Sequence, residues 1–119
     1  HAYDSSAYWF SKSFELKPDD VTIAGQYALI QALRGKFDMA STGYKKLTEL
    51  EPKDANHWVY LGDCFVQMKK FKEAVAAYEQ AEAIDDSKTA MLNTMLDIYN
   101  ELRDEANIQR MTAKLAKRK

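Results

Sequence analysis

The chain has 119 residues, enough for one domain, and its 46% hydrophobic and 29% charged residues predict a packed, soluble core rather than disorder. A formal net charge of −1 supplies no general attraction for nucleic acid or for an anionic membrane. No apolar run approaches the roughly 18 residues that span a bilayer, and a single Cys excludes an internal disulfide while leaving cytoplasm and periplasm equally open.

The first segment runs from His1 to Lys17. Tyr3, Ala7, Phe10, Phe14 and Lys17 fall on helical steps, with Trp9 and Leu16 beside them. Pro18 lies 34 residues before Pro52, which makes residues 1–20 the second helix of a repeat whose first helix is missing. The chain thus opens inside a helical pattern, as an excised fragment or a processed product would. Its aromatic face is expected to be sticky, towards a second copy or towards an upstream helix.

Asp20 is placed to cap the next helix, because its carboxylate can accept from the first free amides. That helix extends to about Arg34 and stops at Gly35, a residue suited to the left-handed conformation past a helix end. Its partner begins near Phe37 and runs to about Leu50, where Pro52 and the residue before it discourage continuation. Gly43 sits inside this helix, where it costs about 1 kcal/mol relative to Ala, and the sequence offers no reason for it.

Asp54 repeats the capping role of Asp20. Lys69-Lys70 stands at the turn where Gly35 stood, which predicts local strain or a different cap. Asp85, Asp86 and Ser87 replace the proline-led turn and offer capping groups to the following helix. Beyond Lys88 the spacing continues through Leu92, Met95 and Tyr99, but Leu96 and Ile108 occupy positions held by small residues earlier. Bulk there should push the two helices apart or shift their register. The last helix, about Asp104 to Lys117, ends in Lys114, Lys117, Arg118 and Lys119. These oppose the negative end of the helix dipole and are not read as a nucleic-acid tail.

The pattern repeats at a fixed period. Trp58, Leu61, Gly62 and Phe65 recur 34 residues earlier as Ala24, Tyr27, Ala28 and Gln31. Phe71, Ala74, Tyr78 and Ala81 recur as Phe37, Ala40, Tyr44 and Leu47. Such a period is the sign of a solenoid. The run Trp58-x-x-Leu61-Gly62-x-x-Phe65, followed by Ala74, Tyr78 and Ala81, resembles a tetratricopeptide repeat. The resemblance implies an all-α solenoid of antiparallel helix pairs, a right-handed superhelix of about seven helices. Its divisions are residues 1–20, 21–54 and 55–88, then a degenerate or capping repeat at 89–119.

No constellation for catalysis, metal or cofactor is visible. Cys64 has no activating base, and the adjacent Asp63 would raise a thiol pKa. His57 has no second His at helical spacing, and no phosphate loop is present. Trp58, Phe65, Tyr44, Phe71 and Tyr78 occupy repeat-core positions, so they are read as packing rather than a base-stacking platform.

The family resemblance implies that the first helix of each repeat lines a concave groove for an extended peptide. The groove positions are Thr22, Gly25, Leu29 and Ala32, then Asn56, Val59, Asp63 and Val66. Ala90, Asn93, Asp97 and Asn100 complete them. One-turn spacing puts each set on a single helix face. The family's members that grip acidic chaperone tails use basic residues where this chain has Gly25, Ala90 and Thr94, so no such tail is expected to bind. The expected partner is instead a protein or peptide with apolar side chains and at least one Lys or Arg. The asparagines suit a peptide backbone, and Gly25 leaves room for a main chain. The function expected is a non-enzymatic scaffold or adaptor. The alternative is a structural spacer or self-association arm, through the N-terminal helix, of a larger and possibly enzymatic protein. RNA binding by helical repeats is disfavoured by the acidic groove.

Overall fold

Helix after helix is the only regular structure in the computed structural model, which describes residues 2–118. Among these residues the elements are α1 (Ala2–Leu16), α2 (Val21–Leu33), α3 (Phe37–Leu50), α4 (Ala55–Gln67), α5 (Phe71–Ile84), α6 (Thr89–Leu102) and α7 (Glu105–Ala116). Consecutive helices pack on one another in chain order. The result is elongated, 46 × 26 × 22 Å, with a radius of gyration of 15.5 Å; a compact domain of this length would have about 13.5 Å. It is an all-α solenoid.

Aspartates start three of the helices. Asp20 accepts from the Ile23 amide at 3.1 Å, Asp54 from the Asn56 amide at 3.0 Å, and Asp104 from the Asn107 amide at 3.3 Å. The acidic run before α6 behaves otherwise. Asp85 accepts from the Ser87 amide at 3.0 Å in a local turn, Asp86 pairs with Lys114 of α7 and with Arg118 beyond it, and the residue preceding α6 is Lys88, with no side-chain cap. Asp85 and Asp86 are therefore turn and bridge residues, not caps.

Each first helix ends in the same way. Gly35, Lys69 and Arg103, spaced by 34, have φ of 75°, 59° and 56°. After each, an amide reaches back five residues: Lys36 to Gln31 at 2.8 Å, Lys70 to Phe65 at 2.8 Å, and Asp104 to Tyr99 at 3.0 Å. This is the Schellman closure. The strain expected at Lys69 is present as a left-handed non-glycine residue.

Close helix crossings explain the small residues. A Cβ on Gly43 would lie 2.7 Å from the Ala28 Cβ and 3.0 Å from its Cα, so α2 and α3 touch backbone to backbone here. This supplies the reason for Gly43 that the sequence lacked. A Cβ on Gly62 would lie 2.7 Å from the Tyr78 ring. Tyr78, Leu47, Leu92, Met95, Tyr99 and Met111 are fully buried, each contributing about 1.5–3 kcal/mol through removal from water. In α7 only Met111 is fully buried among the described residues.

Polar groups tie these layers together. Buried Gln31 donates to Ser11 at 3.3 Å and accepts from Arg34 at 2.8 Å. Tyr99 donates to Glu79 at 2.8 Å. At the C-terminal end Glu82 accepts from Arg110 at 2.8 Å and Lys114 at 2.7 Å, and Lys114 also reaches Asp86 at 2.9 Å. The basic residues of α7 are thus committed to carboxylates of α5 and the turn after it, beyond any role at the helix dipole.

Candidate interaction surface

The faces of α2, α4 and α6 that carry the sequence-predicted positions are open to solvent. Thr22 and Leu29 are exposed, and Gly25 and Ala32 are half-buried. On α4, Asn56 is exposed and Val59 and Val66 are half-buried; on α6, Ala90, Asn93, Asp97 and Asn100 are all exposed. The opposite faces of the same helices carry buried Ala24, Ala28 and Gln31, then Leu61, then Leu92, Met95 and Tyr99. The 3.6-residue period separates the two sets.

Asp63 departs from its expected role. The residue keeps a solvent-exposed edge, but its Oδ1 accepts a hydrogen bond from the Tyr78 hydroxyl of α5. Desolvation raises its pKa, and the Tyr78 bond partly offsets this. Asp63 is a tie between α4 and α5 as well as a surface charge. Cys64 beside it is buried, and burial followed by the Asp63 charge pushes its thiol up to about 11. Burial likewise pushes Tyr44 up to about 12.

Next to the predicted positions lies a crevice of about 320 Å³ between α2, α3 and α4, lined by Gly25, Leu29, Tyr44, Leu47, His57 and Tyr60. Leu29 is 53% exposed and Tyr60 47% exposed, and the Tyr60 ring lies 5.5 Å from that of Tyr44. Sequence reasoning missed Tyr60, although it follows Val59 directly and shares its exposed side. An added Cβ on Gly25 would meet only Leu47 Cδ1, at 3.9 Å, so the glycine leaves the crevice wall low.

His57 was also missed as part of a cluster. Its Nε2 lies 2.8 Å from Glu51 Oε1 and 3.5 Å from Asp54 Oδ2, and the three ligand atoms fall within 4.8 Å of one another. Groups of this kind can hold a divalent ion, and here they also orient the imidazole. Its Nδ1 is buried without a hydrogen-bond partner. The three residues are spaced three apart across a turn, a pattern that a search for paired histidines overlooks.

Aromatic residues crowd the outer face of α1. Tyr8 and Trp9 are 57% and 68% exposed and meet edge to face at 5.2 Å, with Lys12 Nζ 5.8 Å from the Tyr8 ring centre. Phe14, on the inner face, stacks on Tyr27 at 4.6 Å.

Comparison with known proteins agrees with this architecture. No curated protein matches the chain. Among solved structures, the crystal structure of MamA superposes with a TM-score of 0.82 at 16% identity, covering 95% of this chain and 66% of that one. A further MamA structure, from AMB-1, gives a TM-score of 0.86 at 20% identity, covering 98% of this chain and 63% of that one. The chain therefore spans about two thirds of these relatives. The first TPR of Spaghetti (RPAP3), bound to the HSP90 peptide SRMEEVD, gives 0.73 at 18% identity, with 86% and 81% covered. These likenesses establish the fold. The family model described as anaphase-promoting complex, cyclosome, subunit 3 matches residues 1–81, spanning α1 to α5 for most of their length, and the chain belongs to this family of tetratricopeptide-type repeats.

Proposed function

We propose that the chain is a non-enzymatic protein-interaction module that holds an extended partner segment along the exposed faces of α2, α4 and α6. The observation that carries this reading is the shared exposure of the predicted positions on three successive first helices. The crevice beside Gly25 and Leu29 supplies an apolar anchor, and Asn56, Asn93 and Asn100 supply groups that pair with a peptide backbone. Asp97 favours Lys or Arg in the partner, which acts mainly on specificity and association rate. The RPAP3 repeat, which shares the fold, is bound to the HSP90 peptide SRMEEVD. That peptide is acidic, whereas Gly25, Ala90 and Thr94 give this chain no cation to receive such a tail.

The test compares wild-type chain with a Leu29→Asp/Asp97→Lys variant in parallel pull-downs from source extract. Asp63 is left intact because Tyr78 is bonded to it. Proteins held by the wild type and lost by the variant support the reading, as does failure of an acidic C-terminal peptide to bind either. Identical retention by both baits contradicts it.

A second reading, a spacer or self-association arm, rests on the exposed Tyr8 and Trp9 of α1. Concentration-dependent dimerisation that Trp9→Ser abolishes would favour it.

A further inference from the structure

Equivalent clefts recur between successive second helices, on the face of each first helix turned away from the positions above. Between α5 and α7 the cleft is closed. Met111 is fully buried, Arg110 and Lys114 reach Glu82 at 2.8 and 2.7 Å, and Leu92, Met95 and Tyr99 beneath have no exposed surface to speak of. Between α1 and α3 a hollow of about 420 Å³ remains, but its lining is polar: Gln31, Ser11 and Arg34 are bonded together in it, while Phe14 stacks on Tyr27 and Lys46 pairs with Asp19 at 2.9 Å.

The cleft between α3 and α5 differs. Shifting by 34 residues, Arg110, Met111 and Lys114 become Ala76, Ala77 and Gln80, and Glu82 becomes Thr48. Two alanines and an uncharged Gln stand where the last repeat has Met111 and long bridging cations. What remains is a slot of about 450 Å³ with Trp58, Leu61, Phe65 and Ala77 as floor and walls. Trp58 and Phe65 are only half-buried, while their counterparts Leu92 and Tyr99 are fully buried. Among the described residues no ion pair spans the slot. Its rim carries Glu49 and Glu73 against Lys45. The Trp58 indole donates to the Pro52 carbonyl at 3.0 Å, which fixes the wall in place.

We propose that this slot docks a partner segment that inserts one bulky apolar side chain flanked by Lys or Arg. The molecule shows the chemistry one repeat away, where Met111 fills the equivalent space beside Arg110 and Lys114 against Glu82. The middle slot has an apolar floor and lacks the filler; Thr48 stands in place of Glu82, and Glu49 and Glu73, opposed on the rim by Lys45 alone, leave it net acidic. An anchor side chain in a preformed pocket supplies most of the affinity, with the flanking charges setting choice of partner. This surface lies on the opposite face of α4 from Asn56, Val59 and Val66, so it is separate from the proposed groove.

The test uses the full chain carrying Trp9→Phe, which leaves Trp58 as the sole indole. Helical peptides with a central Met flanked by Arg and Lys are titrated while Trp58 emission is followed. The expected result is saturable change, with binding weakened about tenfold or more by Ala at the centre or Glu at the flanks. Ala77→Met, which copies residue 111, should fill the slot and weaken binding by at least about tenfold while the circular dichroism is retained. Should that variant not fold, Ala76→Arg serves the same purpose from the exposed side. An unchanged Trp58 signal, equal binding of the Glu-flanked peptide, or full binding by the filled variants overturns the proposal. Loss of binding on Leu29→Asp would also overturn it, by assigning the peptide to the groove.

Discussion

The first full repeat and the last hold their helix pairs in opposite ways. In α2–α3, Gly43 lets one backbone rest on Ala28 of the other. In α6–α7 the same repeat position is Met111, the crossing positions are Leu96 and Ile108, and Arg110, Lys114 and Arg118 reach back to Glu82 and Asp86. Close approach serves the interior of the array, and long side chains with charged ends serve its end. One register thus supports two sealing devices, and the cleft between α3 and α5, where neither is complete, keeps an apolar slot.

The sharpest break of this comparison is Gly43→Leu. The repeat position that accepts Met at 111 must reject Leu at 43, because the obstacle is the Ala28 backbone rather than a movable side chain. A loss of about 3 kcal/mol is expected in denaturant melts; a neutral result would mean that α2 and α3 do not cross there.

Next comes Glu82→Gln, which leaves Arg110 and Lys114 without their carboxylate. The expected loss is about 1.5 kcal/mol, the low end for charged hydrogen bonds because part of the cluster meets solvent. Burial alone would raise the Glu82 pKa, but hydrogen bonds from Lys114 and Arg110 more than offset it and hold the value below the usual 4.5. A lowered folded-state pKa means that this contribution is complete above the ordinary carboxylate range and is lost as pH falls through the lowered value. Thermal melts of wild type and variant should therefore converge in acid and separate near neutrality.

The smallest of the three is a gain. Lys69→Gly relieves a left-handed residue at a position where Gly35 already sits, and should stabilise by about 1 kcal/mol. No gain, read as an unchanged melting temperature, would show that the φ of 59° at Lys69 costs nothing.

Much of this was legible in the sequence because period and small-residue spacing report directly on helix crossings. Seven helices, the caps at Asp20 and Asp54, and the turn at Gly35 follow from local chemistry. What escaped depends on pairs far apart in the chain. The reason for Gly43 lies in Ala28, the second role of Asp63 lies in Tyr78, and the fate of Lys114 lies in Glu82 and Asp86. At Lys69 the sequence signalled strain or another cap without separating the two, and at Arg103 it gave no signal, because neither residue favours the left-handed conformation; only their distance from Gly35 betrays it. On the candidate surface, the face was readable from one-turn spacing, but Tyr60 and His57 join it through a crevice built by three helices.

The most direct measurement of the central claim is site-specific photocrosslinking in source extract, with the reactive group placed in turn at Val59, Asn93, Tyr8 and Gln109. The account predicts that Val59 and Asn93, on the exposed faces of α4 and α6, capture the same partner, while Gln109 on α7 captures none. Partner capture confined to Tyr8, with Val59 and Asn93 silent, would contradict it and move the function to the aromatic face of α1.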